Sequence, residues 1–474
     1  MKYVVFILIS TGLIIHSMTA QSFQEIKKTL PSDGAAADFY GTSVSISGDW
    51  AVVGSVDNSP GGSAYIYWKD QGGIDNWGEV KKLKANDAAN GDRFGFSVSI
   101  SGNYLVLGSR NDDDNGSSSG SAYIFSKNQG GANNWGFVKK ITASDASNAN
   151  YFGNTVSISN DNIIVGSFGN QASTGSAYLF AKNEGGLNNW DEVKSLIASD
   201  GAAGDRFGLS VSVNGNYVVV GAQLDDDNAT DSGSAYIFFK DEGGFNNWGE
   251  VTKLLPSDGG STDDWFGWSV GIHGTNAIVS KLQDDELGTN RGSAYIYSKD
   301  EGGLNNWGEL AKVQAPDAIN FGRAVDIEND VILVGSILNG PGSAYIFSKD
   351  SGGINNWGQT DKLVPSDGSS GDRFGLGVSI SGDKIIVSSI LDVDQGLNSG
   401  AGYIFDKVLC STDLVITDNP IPSNIYQAGQ SISSASLVPA SGIVQFAANT
   451  IYLDGGFEVV MTGEFEALIN PCSN

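Results

Sequence analysis

The sequence predicts an all-β protein: a seven-bladed β-propeller closed by its N-terminal strand, followed by a small C-terminal all-β module. Three observations lead to this prediction. A unit of 53–59 residues recurs seven times before about residue 408. Each unit contains short strand-like runs separated by turn-forming residues. The last unit lacks a fourth run, and the N-terminus supplies one.

Three anchors define the repeat, and a fixed period of this kind indicates a repeat architecture. An aromatic-glycine pair opens each unit, with aromatic residues Tyr40, Phe94, Phe152, Phe207, Phe266, Phe321 and Phe374. A GSAYIF-like segment follows, with tyrosines Tyr65, Tyr123, Tyr178, Tyr236, Tyr295, Tyr345 and Tyr403. An NNW-type segment occurs only six times, with tryptophans Trp77, Trp135, Trp190, Trp248, Trp307 and Trp357.

The unit from Gly91 to Ile141 shows the strands of one repeat in order. They read SVSI, NYLVLGS, GSAYIFSK and WGFVKKI, and Gly, Asn, Asp and Ser clusters separate them. Small serine side chains share one face of the first run, as the strand nearest a crowded axis requires. Four antiparallel strands repeated at this period are typical of propeller blades.

The two ends of the repeat region predict how the ring closes. Phe23–Leu30 reads FQEIKKTL, which matches the fourth-strand pattern of the other units. The last unit ends at Tyr403–Lys407 without a fourth strand. We therefore expect the N-terminal strand to complete blade seven, which removes an unpaired sheet edge.

These motifs resemble the FG-GAP repeat family, the β-propeller repeats that also build integrin α-subunit heads. Phe94-Gly95, Val106-Leu107-Gly108 and Gly120–Tyr123 carry the resemblance, which covers about residues 23–408. It implies that loops on one side of the disc form a ligand face. The acidic calcium loop that integrin repeats carry between their first two strands is absent, because a short turn (Ser101–Asn103) stands there.

Residues 1–20 match a secretory signal peptide rather than part of the fold. Lys2 provides a basic start, Val4–Ile15 an apolar core, and Ala20 a small residue before the cleavage point. The apolar core is too short for a membrane span. The sequence therefore predicts a secreted or cell-surface protein whose propeller occupies residues 21–408.

The formal net charge of −27 limits the classes of partner. Such a charge repels nucleic acid and anionic membranes. No stretch after the leader has the length and apolar character of a membrane span. The predicted partner is an extracellular protein or a glycan, with no nucleic acid.

The repeat period breaks at the last segment, residues 409–474. Very short apolar runs separated by Gly, Ser and Asn predict a small β module. Ala448–Leu453 and Gly455–Val459 resemble the coathanger-stack modules of exported bacterial proteins. Cys410 and Cys472 stand at its two ends, and a cysteine pair in an exported protein predicts a disulfide.

Catalysis is not expected from the residue types available. His273 is the only histidine outside the leader, so no histidine-based triad with a second histidine and no zinc cluster can be assembled. Glycoside hydrolysis needs only two suitably spaced carboxylates, and acids are abundant. A carbohydrate-active enzyme is therefore an alternative.

Meander topology places the loops between second and third strands on the same side as the blade-to-blade linkers. That side collects most of the acids, and its loops differ between blades, as binding loops usually do. Two tryptophans around Phe266 break the repeat pattern there. The predicted ligand-face residues are Asp112, Asp225, Asp284, Asp392, Trp265 and Trp268.

Calcium is the one candidate ion. The stretch NDDDNG at residues 111–116 has oxygen donors at alternate positions followed by glycine, which is part of a calcium-loop pattern, although Ala122 replaces the expected final glutamate. The candidate metal ligands are Asn111, Asp113, Asn115, Asp225 and Asp227.

The resulting functional hypothesis is an exported, non-catalytic binding or adhesion protein that uses its acidic loop face. The alternatives are a carbohydrate-binding protein or carbohydrate-active enzyme on the same face, and a structural surface component without a discrete ligand.

Overall fold

A computed structural model of the chain describes residues 20–416, 424–434, 437–438, 443–453, 458–459 and 464–468, with side chains described for residues 22–407. Gln24–Asp406 form one compact unit. In it, a four-stranded antiparallel sheet recurs seven times, which confirms the predicted seven-bladed propeller. One helical turn, α1 (Asn170–Ser173), occurs in the described residues. They contain no helix with the length and apolar character needed to span a membrane.

Each blade has four strands, of which the first contacts its counterparts at the axis. Blade one consists of β2 (Tyr40–Ser47), β3 (Trp50–Ser55), β4 (Ser63–Trp68) and β5 (Gly78–Leu83). Blade two consists of β6 (Phe94–Ser101), β7 (Tyr104–Ser109), β8 (Ser121–Ser126) and β9 (Gly136–Ile141). Blade three consists of β10 (Thr155–Ser159), β11 (Asn162–Ser167), β12 (Ser176–Lys182) and β13 (Trp190–Leu196).

The remaining blades follow the same order. Blade four consists of β14 (Phe207–Asn214), β15 (Tyr217–Ala222), β16 (Ser234–Phe239) and β17 (Gly249–Leu254). Blade five consists of β18 (Phe266–His273), β19 (Asn276–Lys281), β20 (Ser293–Ser298) and β21 (Gly308–Val313). Blade six consists of β22 (Phe321–Glu328), β23 (Val331–Ser336), β24 (Ser343–Ser348) and β25 (Gly358–Leu363). Blade seven consists of β26 (Phe374–Ser381), β27 (Lys384–Ser389), β28 (Ala401–Ile416) and the N-terminal β1 (Ala20–Thr29).

The hydrophobic core lies between blades. The second and third strands are buried on both faces, as β7 and β8 show, because each blade is covered by two neighbours. One core cluster joins Val52 and Ile66 of blade one to Leu105 and Leu107 of blade two. The six repeat tryptophans are all buried. Their periodic position therefore anchors the blades.

A ring of side chains links the first strands around the axis. In five blades a serine hydroxyl accepts a hydrogen bond from a backbone N–H of the next blade, at 3.1–3.3 Å. These serines are Ser45, Ser99, Ser157, Ser212 and Ser379. Gly271 of blade five offers no such acceptor. Asp326 of blade six compensates, because its carboxylate accepts from Ile327 N at 2.8 Å and from Ile380 N at 2.9 Å.

Asp326 should give the fold a measurable pH dependence. Burial raises the pKa of its carboxyl to about 6, and its backbone hydrogen bonds only partly oppose this. A carboxyl whose pKa is raised by folding withdraws stability as pH rises through that range. Relative to the wild type, Asp326→Ser, which restores the residue of five other blades, should gain up to about 3 kcal/mol between pH 4 and 7. Denaturant unfolding at four pH values measures this, and a pH-independent difference would contradict it.

The ring closes as predicted, because β1 pairs with β28. Ser366 donates from both its N–H and its hydroxyl to the Glu25 carboxylate, each at 2.9 Å. The same serine-glutamate pair joins linker and fourth strand in blades one, three, four and five. The N-terminal strand thus takes the place and the contacts of an ordinary fourth strand.

Three substitutions distinguish this closure from the other blades. Thr29 stands where the other fourth strands end in Leu, Ile or Val, and its hydroxyl donates to Gly402 O at 3.1 Å. A Cβ at Gly402, where the other repeats have alanine, would lie 2.7 Å from that hydroxyl. Tyr40, the only tyrosine among the seven opening aromatics, donates to Thr29 at 3.0 Å. These residues form a seam contact that no other blade can reproduce.

A second compact unit contains the C-terminal strands. The distal part of β28 pairs in parallel with β29 (Asn424–Ser434), which pairs in parallel with β31 (Ile443–Leu453) and then β33 (Glu464–Leu468). Leu437–Val438 (β30) and Glu458–Val459 (β32) form a second short parallel pair. The side chain of Cys410 and the whole of Cys472 lie outside the described residues, so the disulfide stays a prediction, as does the coathanger-stack resemblance.

Candidate functional site: the loop face and the axial pocket

One side of the disc, called here the loop face, carries two sets of connections. The loops between second and third strands are residues 56–62, 110–120, 168–175, 223–233, 282–292, 337–342 and 390–400. The linkers between blades are residues 30–39, 84–93, 142–154, 197–206, 255–265, 314–320 and 364–373. Backbone bridges such as Gly120↔Phe152 join the end of a loop to the start of the next blade. The predicted grouping of these two loop sets is therefore correct.

A lysine from the fourth strand gathers the acids of each acid-rich loop. In blade two, Lys140 Nζ lies 2.7 Å from Asp87, 2.9 Å from Asp112 and 2.5 Å from Asp114. The hydroxyl of Tyr123, which is opposite Lys140 in the sheet, donates to Asp87 and Asp112. We call this arrangement a lysine cluster. It ties the linker, the loop and two strands of one blade together.

Blades four, five and seven repeat the cluster. The lysines and their acids are Lys253 with Asp200, Asp225 and Asp227; Lys312 with Asp258, Asp284 and Glu286; and Lys28 with Asp367, Asp392 and Asp394. The central acids Asp112, Asp225, Asp284 and Asp392 are only 2–4% exposed. The structure therefore places four of the predicted ligand-face acids inside the blades. Their contact with a ligand stays a prediction, and the geometry favours a role in holding the loops.

The three other blades lack the central loop acid, and blade three lacks the lysine as well. In blade three Ser195 replaces the lysine, and Asn170 replaces the central acid. The Asn170 amide donates to Asp145 and lies 2.6 Å from the Tyr178 hydroxyl. In blades one and six the lysine keeps only its linker aspartate among acids. Acids thus accumulate on a loop only where a lysine is available to neutralise them.

Protonation equilibria support this interpretation. Burial alone would raise the pKa of Asp87, but hydrogen bonds from Lys140 and Tyr123 outweigh it and hold that pKa below its usual range. Burial alone would lower the pKa of Lys140, and the hydrogen bonds to Asp114, Asp87 and Asp112 raise it instead. A carboxyl with a lowered pKa stabilises the fold above its unfolded pKa, and this contribution is lost as pH falls.

The same oxygens are where a cation would bind. Three carboxylate oxygens lie within 4.8 Å of one another in the groups Asp87–Asp112–Asp114 and Asp258–Asp284–Glu286. Oxygen donors suit calcium, yet a lysine ammonium already contacts each set. Calcium at these positions would have to displace the lysine, so the residues as they stand do not fit a resident ion.

The predicted metal ligands have other partners. Asp113 accepts a hydrogen bond from Ser118 N at 2.6 Å, and Asn115 N donates to Ser119 Oγ at 3.3 Å. Asn111 N donates to Asp92 O, while Asp225 and Asp227 both contact Lys253. Calcium binding by this set stays a prediction.

A cavity of ≈ 560 Å³ opens at the centre of the ring, and we call it the axial pocket. Its mouth is lined by the residue after each aromatic-glycine pair: Thr42, Phe96, Asn154, Leu209, Trp268, Arg323 and Leu376. Its floor is a ring of valines: Val44, Val98, Val156, Val211, Val270, Val325 and Val378. The first strand of each blade begins at the loop face, and the mouth residues stand at its start. The mouth therefore lies on the loop face. The floor is constant, and the mouth changes in chemical type from blade to blade.

Two arginines at the mouth each pack against an aromatic ring. Arg110 Cζ lies 3.8 Å from the centre of the Phe96 ring, and Arg323 Cζ lies 4.8 Å from the centre of the Trp268 ring. The Trp268 indole donates to Arg323 O at 3.1 Å and stacks on Trp265, with ring centres 5.6 Å apart. The predicted pair of tryptophans is thus brought together at the mouth, although only Trp268 lines the pocket.

Sequence reasoning missed the arginines of the pocket. The signal was present, because the residue after each aromatic-glycine pair is the position at which otherwise similar first strands differ most. Trp268 was found through that irregularity, whereas Arg323 occupies the same position one blade later. Arg110 follows the second strand and shows no comparable pattern in the sequence.

The fold and the site define the class of the protein: a closed propeller whose repeats build one loop face around an axial pocket, a type of fold used for binding or adhesion. The sequence profile of the FG-GAP repeat family matches residues 23–67, 77–125, 135–180, 190–238, 248–297, 307–347 and 357–405. The chain belongs to the FG-GAP repeat family. Each matched segment begins with a fourth strand and ends in the third strand of the next blade, which is the offset that closure by β1 requires. A search of curated proteins found no match.

Proposed function

We propose that this chain is an exported, non-catalytic binding or adhesion protein, secreted or held at the cell surface, that engages an extracellular protein or glycan through its loop face. The observation that carries the proposal is the mouth of the axial pocket. Seven repeats keep the same floor and the same core, yet their seven mouth positions hold six residue types that differ in size, charge and polarity. Variable side chains on a rigid scaffold are the usual arrangement of a binding site.

The assignment as non-catalytic is supported by the partners of the acids. The central acids of the loop face are buried against lysine and tyrosine, which leaves them poorly placed as acid and base for glycoside hydrolysis. His273 ends β18, and that strand begins at the loop face, so the histidine lies at the opposite side of the disc.

Carbohydrate binding is the second candidate, and the tryptophan pair favours it. Trp265 and Trp268 stack at an interplanar angle of 16°, and Trp268 is only half-buried at the mouth. A partly exposed indole offers a flat apolar surface to a sugar ring.

The surface-component alternative also has a specific observation. The tips of the loops between third and fourth strands, opposite the loop face, carry apolar residues that are 78–92% exposed: Ile74, Leu187, Phe245, Leu304 and Ile354. Such a set could support assembly between copies.

The test compares binding by two substitutions on opposite faces. The wild type, Trp268→Leu and Phe245→Ser are applied to arrayed glycans and immobilised extracellular proteins, and the same glycans are assayed for hydrolysis. Leucine is the chain's own residue at the Trp268 position in blades four and seven. We expect Trp268→Leu to weaken binding at least about tenfold, Phe245→Ser to leave it unchanged, and no glycan to be cleaved. Loss only in Phe245→Ser would instead support surface assembly, and cleavage would identify an enzyme.

A further inference from the structure

The axial pocket is positively charged at the centre of a strongly acidic protein. The chain has 54 acidic and 27 basic residues, yet the residues that line the pocket include Arg110, Arg323 and Arg373 and no acid. A concave site lined by one sign of charge focuses the electrostatic field and attracts ligands of the opposite sign.

In the part of the chain that the structure describes, two of these arginines, Arg110 and Arg323, lack the carboxylate partners that buried cations usually have. Neither Arg110 nor Arg323 forms an ion pair among the described residues. Arg110 donates to Asn154 Oδ1 at 3.2 Å, and its buried Nε has no hydrogen-bond partner there. The lysines of the loop face, in contrast, each contact up to three carboxylates. A desolvated guanidinium without an anion is costly unless something compensates it.

Burial, together with repulsion from a neighbouring arginine, lowers the pKa of both arginines to about 10. Arg93 is that neighbour for Arg110, and Arg373 is that neighbour for Arg323. An anion in the pocket would relieve the cost of burial and the repulsion together.

The aromatic rings hold these arginines in a binding geometry. Stacking on Phe96 and on Trp268 covers one face of each guanidinium. Apart from the bond from Arg110 to Asn154, no hydrogen bond among the described residues uses their N–H groups. A planar, preoriented guanidinium matches the two oxygens of a carboxylate. Side-chain hydroxyls also border the pocket below the mouth: Ser43, Ser97, Thr155, Ser210 and Ser269. The first four donate to a backbone carbonyl of the next blade, so only their oxygen lone pairs are left for a ligand.

We propose that the axial pocket binds an acidic sugar, with the sugar carboxylate on Arg323 or Arg110 and the pyranose ring against Trp268. This inference rests on the proposed binding function and specifies the ligand class of the same site. The cavity is of the size that small-molecule ligands fill. Since the loop face also carries exposed acids such as Asp113 and Asp226, a terminal acidic sugar suits the site better than an extended polyanion.

The test is calorimetric titration of the full chain with sodium D-glucuronate, D-glucose and N-acetylglutamate, repeated at low and physiological salt. Arg323→Leu introduces the residue found at that position in blades four and seven, and Arg110→Gln introduces the residue found at the equivalent position, Gln223. Arg206→Gln is the matched control, because it removes the same charge from the loop face outside the pocket. Melting temperatures of all variants verify that they fold.

We expect glucuronate to bind the wild type at least about tenfold more tightly than glucose, and each pocket variant to lose at least about tenfold. Arg206→Gln should stay within about twofold, and binding should weaken with salt because the interaction is electrostatic. Equal losses in Arg206→Gln and the pocket variants would overturn the proposal, as would tighter binding of N-acetylglutamate than of glucuronate. If glucose binds as well as glucuronate, or if none of the three binds, the acidic-sugar assignment fails. The loop-face function is then judged separately by the array and Trp268→Leu.

Discussion

Deleting Gln21–Leu30 should open the ring and cost at least about 5 kcal/mol of unfolding free energy. The deletion removes the fourth strand of blade seven and leaves the third strand with an unpaired edge. It also removes Lys28, whose ammonium lies 2.8 Å from the Asp392 carboxylate, a group that is 3% exposed. Loss of pairing and an uncompensated buried charge act in the same direction. Denaturant unfolding and light scattering measure the expected loss and the expected association.

A synthetic strand provides the control for this deletion. A peptide of residues 21–30 added in trans should restore stability by occupying the vacant edge. The same peptide with Lys28 and Thr29 replaced by alanine should restore much less, because it lacks the lysine cluster and the Gly402 contact. A truncated chain that stays monomeric with an unchanged melting temperature would show that β1 is not needed for closure.

The overall architecture was predictable because every repeat carries the same pattern of strands and turns. Tyr65 and its six counterparts occupy third strands, and the unequal number of third and fourth strands in the sequence predicts closure. Periodicity averages over seven copies, so a weak strand signal in one blade is corrected by the others. The prediction of closure rests on the number of strands of each kind and depends on no single side chain.

The lysine clusters were not predicted, because they depend on pairing register. Lys140 meets Asp112 only because it is opposite Tyr123 in the sheet and because the linker brings Asp87 to the same point. From the sequence alone, the acidic loops indicated a charged surface. The lysines lie in the fourth-strand segments, so nothing in the sequence connected them to these loops. A comparison between blades would have helped, since Ser195 and Asn170 change together in blade three.

The axial pocket was hidden for a different reason. Its mouth residues come from seven distant positions, and only the ring brings them together. Trp268 was noticed because, with Trp265, it breaks the repeat pattern around Phe266, whereas Arg323 at the same position one blade later was not. A single arginine in a repeat gives no indication that the residues around it in space include no acid.

Replacing Lys140 with serine should destabilise the protein by about 3–5 kcal/mol at pH 7, the second-largest effect that the structure predicts. The substitution leaves Asp87, Asp112 and Asp114 together without a cation, and Asp112 is 3% exposed. The loss should shrink as pH falls towards 4, because protonation removes the repulsion, whereas the wild type loses the benefit of its lowered Asp87 pKa over the same range.

The chain supplies both controls for this substitution. Lys194→Ser removes a lysine whose only side-chain hydrogen bond within the described part of the chain is to Asn247 at 3.3 Å, and it should change stability by no more than about 0.5 kcal/mol. Lys140→Ser with Asp112→Asn copies the Ser195–Asn170 solution of blade three. The double variant should be more stable than Lys140→Ser alone, so that the two changes are coupled. Additive losses in this cycle would mean that Lys140 contributes by packing and not by charge.

Calcium gives the same experiment a second measurement. Without the ammonium, the three carboxylate oxygens that lie within 4.8 Å of one another become available to a hard cation. Millimolar calcium should therefore raise the melting temperature of Lys140→Ser more than sodium chloride of equal ionic strength does. Magnesium should do less, because it demands stricter octahedral geometry and dehydrates reluctantly. In the wild type the two salts should act alike, since Lys140 already neutralises the site. A specific calcium response in the wild type would show instead that the predicted ligands around Asp113 form a site independent of the lysine.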